Sequence, residues 1–265
     1  MKEPWYDATV VLARTAMAGL GLTTRWSGEE NVPESGPVLL ASVHNSYPDF
    51  LFVGKAALSR GRHVRFMCRH DIWHVPVVRR AMDAMRHIPV DRQAPAAAYL
   101  RARRLLADGE AVGVFPEAGI SHSFTVRSLM PGTVALARET GVPIVPVALW
   151  GGQRIATVSR TPEGRERPPE LARGRLVDVR FGAPLPVAAD EDLAEATHRL
   201  GHALTDLLEG LQRLPAHRPR AGEHAPWHPA HLGGHAPDRR AALDLDEVPS
   251  SAVPPSWGPP VRPSS

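Results

Sequence analysis

A histidine and an aspartate stand five positions apart in Ser42-Val43-His44-Asn45-Ser46-Tyr47-Pro48-Asp49, where an apolar run gives way to a helix-like pattern. Through such a turn a carboxylate can reach one imidazole nitrogen, fix the tautomer and leave the other nitrogen as a general base. A plainer reading of the same residues has Asp49 capping the helix that follows. Three further pieces carry polar groups at the ends of apolar runs: Ile88-Pro89-Val90-Asp91-Arg92, Val114-Phe115-Pro116-Glu117-Ala118-Gly119-Ile120-Ser121, and Val142-Pro143-Ile144-Val145-Pro146-Val147. There is no G-x-S-x-G elbow to make Ser46 or Ser121 a nucleophile. Neither a G-x-G-x-x-G turn nor a P-loop lysine is present. The lone cysteine, Cys68, excludes an intramolecular disulfide framework and a multi-cysteine zinc site, and its neighbours Phe66 and Met67 suit packing better than reactivity.

The elements that must position these residues alternate. Strand-like runs cover Val38–Val43, Val64–Met67, Ala111–Phe115, Ile144–Leu149 and Leu176–Phe181. Helix-like patterns cover Tyr6–Leu20, Phe50–Ser59, Val77–Met85, Ala96–Ala107, Gly132–Thr140 and Asp190–Leu211. Gly109 and Gly141 suit helix stops. Apolar strands interleaved with helices predict an α/β layered domain with a mostly parallel or mixed central sheet flanked by helices.

The organisation expected is an N-terminal amphipathic helix over 1–26, a main domain over 27–214, and a disordered tail over 215–265. The tail holds eleven of the 27 prolines and few aliphatic residues, too little apolar surface to offset its ordering entropy. Its His224, His228, His231 and His235 are spaced like metal ligands, but Pro226, Pro229 and Pro237 break the helix that would align them, so no metal is expected. The stretch Ala8–Leu22 is interrupted by Arg14 and is too short to span a bilayer, and no secretory signal is apparent. Between Arg60 and Arg104, eleven arginines face Asp71, Asp83 and Asp91, a local net of +8. Such a field favours phosphate groups or an anionic membrane; arginine-rich composition alone would also produce it. Two stripes could lie in a membrane interface or pack on the core: Tyr6, Val10, Ala13, Met17 and Leu20 after Trp5, and the Val77–Arg86 segment with its arginines.

Taken in order, the four blocks, spanning roughly Val38 to Leu149, resemble the glycerolipid acyltransferase family that includes lysophosphatidic acid acyltransferases. That family is marked by a histidine-x4-aspartate box, a block ending in Asp-Arg, a Phe-Pro-Glu-Gly box and a late Val-Pro-Ile-Val-Pro block. The resemblance implies a glycerol-3-phosphate acyltransferase-like fold and transfer of an acyl group from acyl-CoA or acyl-carrier protein to a lysophospholipid hydroxyl. The acceptor would be 1-acyl-sn-glycerol-3-phosphate, giving phosphatidic acid. It implies His44 as base, Asp49 orienting it, Arg92 gripping the acceptor phosphate through paired bonds, and Glu117 organising the acceptor site. Ser46 and Gly119, from the same boxes, join the acceptor-binding set. No cofactor, metal or nucleic acid is implied; the partners are an acyl thioester, the lysolipid and an anionic membrane surface, with the protein peripheral or monotopic on its cytoplasmic face.

Departures fall mainly on the phosphate-reading set. Val43 replaces the usual asparagine, Arg86 a glycine, Met130 a lysine, and Ala118-Gly119-Ile120 fill the places of Gly-Thr-Arg. The same chemistry on a glycolipid or other phosphate-free acceptor therefore stays open, as do a thioester hydrolase and a non-catalytic membrane-binding protein.

Overall fold

A computed structural model describes residues 3–158 and 168–261. Seven strands, β1 (Thr23–Ser27), β2 (Val38–Ser42), β3 (Val64–Arg69), β4 (Ile88–Val90), β5 (Ala111–Val114), β6 (Ile144–Trp150) and β7 (Leu176–Phe181), form one sheet in the order β1-β7-β6-β2-β5-β3-β4. Every neighbouring pair is parallel except β6 with β7. The centre of the sheet is β2 and β6, whose residues are buried throughout. Such continuous apolar runs belong to strands covered on both faces.

The helices are α1 (Pro4–Gly19), α2 (Asp49–Ala57), α3 (Pro76–Ala84), α4 (Ala96–Ala107), α5 (Gly132–Thr140), α6 (Leu193–Gln212) and the short α7 (Arg239–Leu243). Their stops follow local chemistry. Gly109 and Gly141 leave α4 and α5 with φ of 81° and 67°, conformations that cost glycine little. Asp192 caps α6, accepting from the amides of Ala194 and Glu195 at 2.8 and 3.0 Å. α6 packs on β6, while α4 packs on β4, β5 and α5.

Two sequence expectations are corrected here. First, the stretch from Pro215 to Val261 is laid against the domain. Ala225, Ala236, Ala242 and Trp257 are buried in it, and the Trp257 Nε1–H donates to the carbonyl of Val126 at 3.0 Å. Prolines suit an extended strap because they need no hydrogen-bond partner for an absent N–H, and one tryptophan supplies the burial that aliphatic residues do not. Of its histidines, His231 meets Glu209 at 3.1 Å, His228 meets the carbonyl of Gln212 at 3.4 Å, and His224 lies against His235.

Second, much of the basic run is neutralised by carboxylates from outside it. Arg65 is buried among Glu3, Glu110 and the carbonyl of Met85. Arg60 pairs with Glu34, Arg86 with Asp108 and Glu110, and Arg103 with Glu139. The +8 read along the chain is therefore not the field at the surface.

Candidate active site

Parallel pairing assembles the site. Ala41 of β2 lies beside Val114 of β5, so the turns that follow, bearing His44 and Glu117, emerge at one edge of the sheet. β3 bridges β5 to β4 in the same sense, which brings Arg92 to that edge as well. The carboxyl ends of parallel strands are where ligands of open α/β sheets bind.

At this edge His44 Nδ1 lies 3.0 Å from Asp49 Oδ2. The Asp49 carboxylate is fully buried. Its Oδ2 also accepts from the amides of Asn45 and Ser46, at 2.7 and 2.8 Å, and its Oδ1 accepts from the Ser46 hydroxyl. The aspartate thus reaches backward into its own turn; it is the first residue of α2 and does not cap that helix. With every other donor fixed, it can only accept at Nδ1–H, which leaves the lone pair on Nε2. No described residue bonds Nε2, and the imidazole is 22 % exposed. The turn is packed from behind by Gly152: a Cβ there would sit 2.5 Å from Ser46 Oγ and 3.4 Å from Asp49 Oδ1. Ser46, expected on the acceptor side, is completely buried and spends its hydroxyl on Asp49.

Glu117 holds the histidine from the other side. Its Oε1 accepts from the His44 amide at 2.7 Å and its Oε2 from the Arg127 amide at 3.0 Å. The amide of Ser121 then returns a bond to the His44 carbonyl at 3.2 Å. Burial pushes the Glu117 carboxyl up to about 8, against the two amides and the Arg127 charge that favour its ionised form. Glu117 is therefore a positioning residue, organising the hydrogen bonds of the site without reaching into it. The imidazole of His44 stacks on Phe115 at 4.4 Å between centroids, Phe115 on Phe66, and Phe66 meets Phe50 edge-on. This aromatic run leads to an apolar groove of about 70 Å³ between α1, α2 and α3, lined by Tyr6, Val10, Met17, Phe50, Phe66 and Met85 among others.

Arg92 meets the loop after Glu117: its Nη2 donates to the carbonyl of Ala118 at 2.7 Å, and the side chain remains 48 % exposed. Ala118 has φ 54° and Arg86 φ 59°. These are two places where the resembled family carries glycine, so the left-handed backbone is present here without the residue that adopts it at least cost. Gly119 faces Arg127, whose Nη2 would lie 3.1 Å from a Cβ at that position. Arg127 is buried and was not singled out by its motif; nor was Asp246, far along the chain from the last box and in no pattern, which bonds His122 at 2.7 Å. Cys68, its thiol pushed by burial up to about 12, is inert packing between the groups around β3.

A fully buried carboxylate holding an imidazole at the carboxyl edge of a mostly parallel α/β sheet is an arrangement that can do acid–base chemistry. Residues 23–150, just under half of the chain, match the family described as Acyltransferase, and the same stretch is similar to named 1-acyl-sn-glycerol-3-phosphate acyltransferases. It is 32 % identical over 132 residues to a chloroplastic 1-acyl-sn-glycerol-3-phosphate acyltransferase of Brassica napus, a match covering 48 % of this chain and 37 % of that one. It is 27 % identical over 128 residues to a 1-acyl-sn-glycerol-3-phosphate acyltransferase of Borreliella burgdorferi, covering 47 % and 50 %. The chain thus spans half or less of the length of these curated relatives. The fold is that of the crystallised 1-acyl-sn-glycerophosphate acyltransferase PlsC of Thermotoga maritima, with a TM-score of 0.65 at 19 % identity, over 78 % of this chain and 80 % of that one.

Proposed function

We propose that the chain transfers a fatty acyl group from acyl-CoA or acyl-carrier protein to the free hydroxyl of a lysophospholipid, with 1-acyl-sn-glycerol-3-phosphate as acceptor and phosphatidic acid as product. The observation that carries this reading is the His44–Asp49 pair at the sheet edge, with Nε2 bonded by none of the described residues. Nε2 takes the proton of the acceptor hydroxyl as its oxygen attacks the thioester carbonyl. The tetrahedral intermediate then expels the thiolate, which takes the proton back from the imidazolium. Asp49 stabilises that transient cation and keeps the ring in place. Arg92 holds the acceptor phosphate. The apolar groove beyond Phe115 and Phe66 suits an acyl chain.

Relatives named as 1-acyl-sn-glycerol-3-phosphate acyltransferases support the acceptor. A peripheral membrane location is supported by the exposed apolar residues Trp5, Val11 and Leu12 of α1, Val77 of α3 and Val75 just before it, beside Arg79 and Arg80. Among the described residues no helix is long and apolar enough to cross a membrane.

Incubation with acyl-CoA and 1-oleoyl-lysophosphatidic acid should give phosphatidic acid by mass spectrometry. His44→Ala should lower the rate by at least about 10²-fold. An undiminished rate in that variant would remove the imidazole from the reaction and overturn the reading.

A further inference from the structure

The third box lacks the arginine of the resembled family's pattern, yet its loop is not short of positive charge. Arg92 bonds the carbonyl of Ala118, and the guanidinium of Arg127 lies over the next residue, Gly119. His122 follows on the same loop. Two carboxylates from the C-terminal strap face this group. Asp246, with its side chain only 4 % exposed, accepts from His122 at both Nδ1 and the backbone amide, at 2.7 and 3.2 Å, and lies 3.5 Å from Arg127 Nη1. Glu247 places its carboxylate 3.6 Å from Arg92 Nη1 and its carbonyl 2.6 Å from Arg127 Nη2. Arg127 Nε is buried without a partner among the described residues. The strap is held in register here by Leu129 and Val253, which exchange backbone bonds at 3.1 and 2.8 Å.

We propose that Arg127 and His122 join Arg92 in one anion subsite for the acceptor headgroup, and that Asp246 and Glu247 are its resident counter-charges, against which the acceptor phosphate competes. The inference rests on the reading of Arg92 as the phosphate-holding residue. Geometry favours a competing role over a merely structural one for Glu247. Its side chain is 92 % exposed, and among the described residues its carboxylate makes only the long contact to Arg92. Asp246 is the more tightly paired of the two counter-charges, meeting both His122 and Arg127, while Glu247 is the one a phosphate displaces first. Specificity then depends on the difference between two anions at one site.

The test is a double-mutant cycle on the full chain, reading the KM for 1-oleoyl-lysophosphatidic acid with acyl-CoA saturating. Glu247→Gln is expected to lower that KM about two- to five-fold, the range for an exposed ion pair. Arg92→Gln is expected to raise it, and adding Glu247→Gln in that background should change nothing further. Asp246→Asn, where its melting temperature matches the parent, should also lower the KM. An unchanged or raised KM in Glu247→Gln overturns the proposal, as does a drop of equal size with Arg92 absent, which would report general surface charge. A raised KM in a fully folded Asp246→Asn does the same, because the carboxylate would then serve the loop. If Arg92→Gln itself leaves the KM unmoved, the phosphate-holding role of Arg92 fails, and the inference fails with it for that separate reason.

Discussion

At the scale of single residues, the site depends on two carboxyl groups in opposite electrostatic situations. Asp49 is surrounded by donors on both oxygens, whereas Glu117 has one amide per oxygen and is otherwise sealed from water, which pushes it up to about 8. Because this folded-state value lies above the unfolded one, the folded protein binds the extra proton. The stabilisation is complete below about 4.5 and is lost as pH rises through about 8. Glu117→Gln keeps the shape and removes the titration. Between pH 5.5 and 8.5, urea unfolding should therefore shift in favour of the variant by about 3 kcal/mol relative to the parent. A difference that stays the same at the two pH values would show that Glu117 is already ionised throughout. The histidine and aspartate were legible because their spacing and the turn between them impose the contact. The role of Glu117 was only half legible: its place in the box is visible, but that both oxygens are taken by backbone amides is a fact of folding. Arg127 and Asp246 were invisible because nothing in the local sequence ties residue 127 to residue 246.

At the scale of elements, the inward and outward faces of α1 and α3 separate two readings that their sequences leave level. In α1 the expected stripe turns inward: Tyr6 and Met17 are buried, and Tyr6 exchanges bonds with the backbone of Val64. The outward face nonetheless carries Trp5, Val11 and Leu12. α3 buries only Met82, leaving Val77 and Val78 exposed beside Arg79 and Arg80. α1 and α3 pack together, so these residues form neighbouring parts of one surface, and apolar side chains fringed by arginine suit a bilayer interface. Leu12→Asp with Val77→Asp should weaken sedimentation with phosphatidylglycerol vesicles by about tenfold or more, since each removes roughly 1.5 kcal/mol or more of apolar burial. Equal binding by parent and variant would assign this surface to something other than lipid. The five strands with apolar runs were all legible. β1 was not, because Thr-Thr-Arg-Trp-Ser is polar and sits at the sheet edge; nor was β4, whose three residues include a proline. Both are edge strands, where packing demands least of the sequence.

At the scale of the whole molecule, the C-terminal strap links the far end of the chain to the catalytic edge, and composition alone conceals it. Proline content argued for disorder, but a strap needs few anchors when one of them is large. Trp257 is that anchor. Its ring lies against Gly201 of α6, where a Cβ would come within 2.3 Å of it, and its indole bonds the carbonyl of Val126, one residue before Arg127. Arg239 Nη1 in turn donates to the Trp257 carbonyl at 2.8 Å, so α7 and the last described turn brace each other. Truncation to Trp257→Ala removes a buried aromatic and should lower unfolding stability by about 3–5 kcal/mol. The loss should be felt first in the strap: trypsin should cut after Arg239 and Arg240 sooner than in the parent, before the sheet itself opens. Gly201→Ala should produce the same pattern from the opposite side of the contact, because the added methyl competes with the ring for one space. An unaltered melting temperature and an unaltered cleavage rate in both variants would mean that the strap rides on the domain without contributing to it, and that whatever Asp246 does at the third box it does without this anchor.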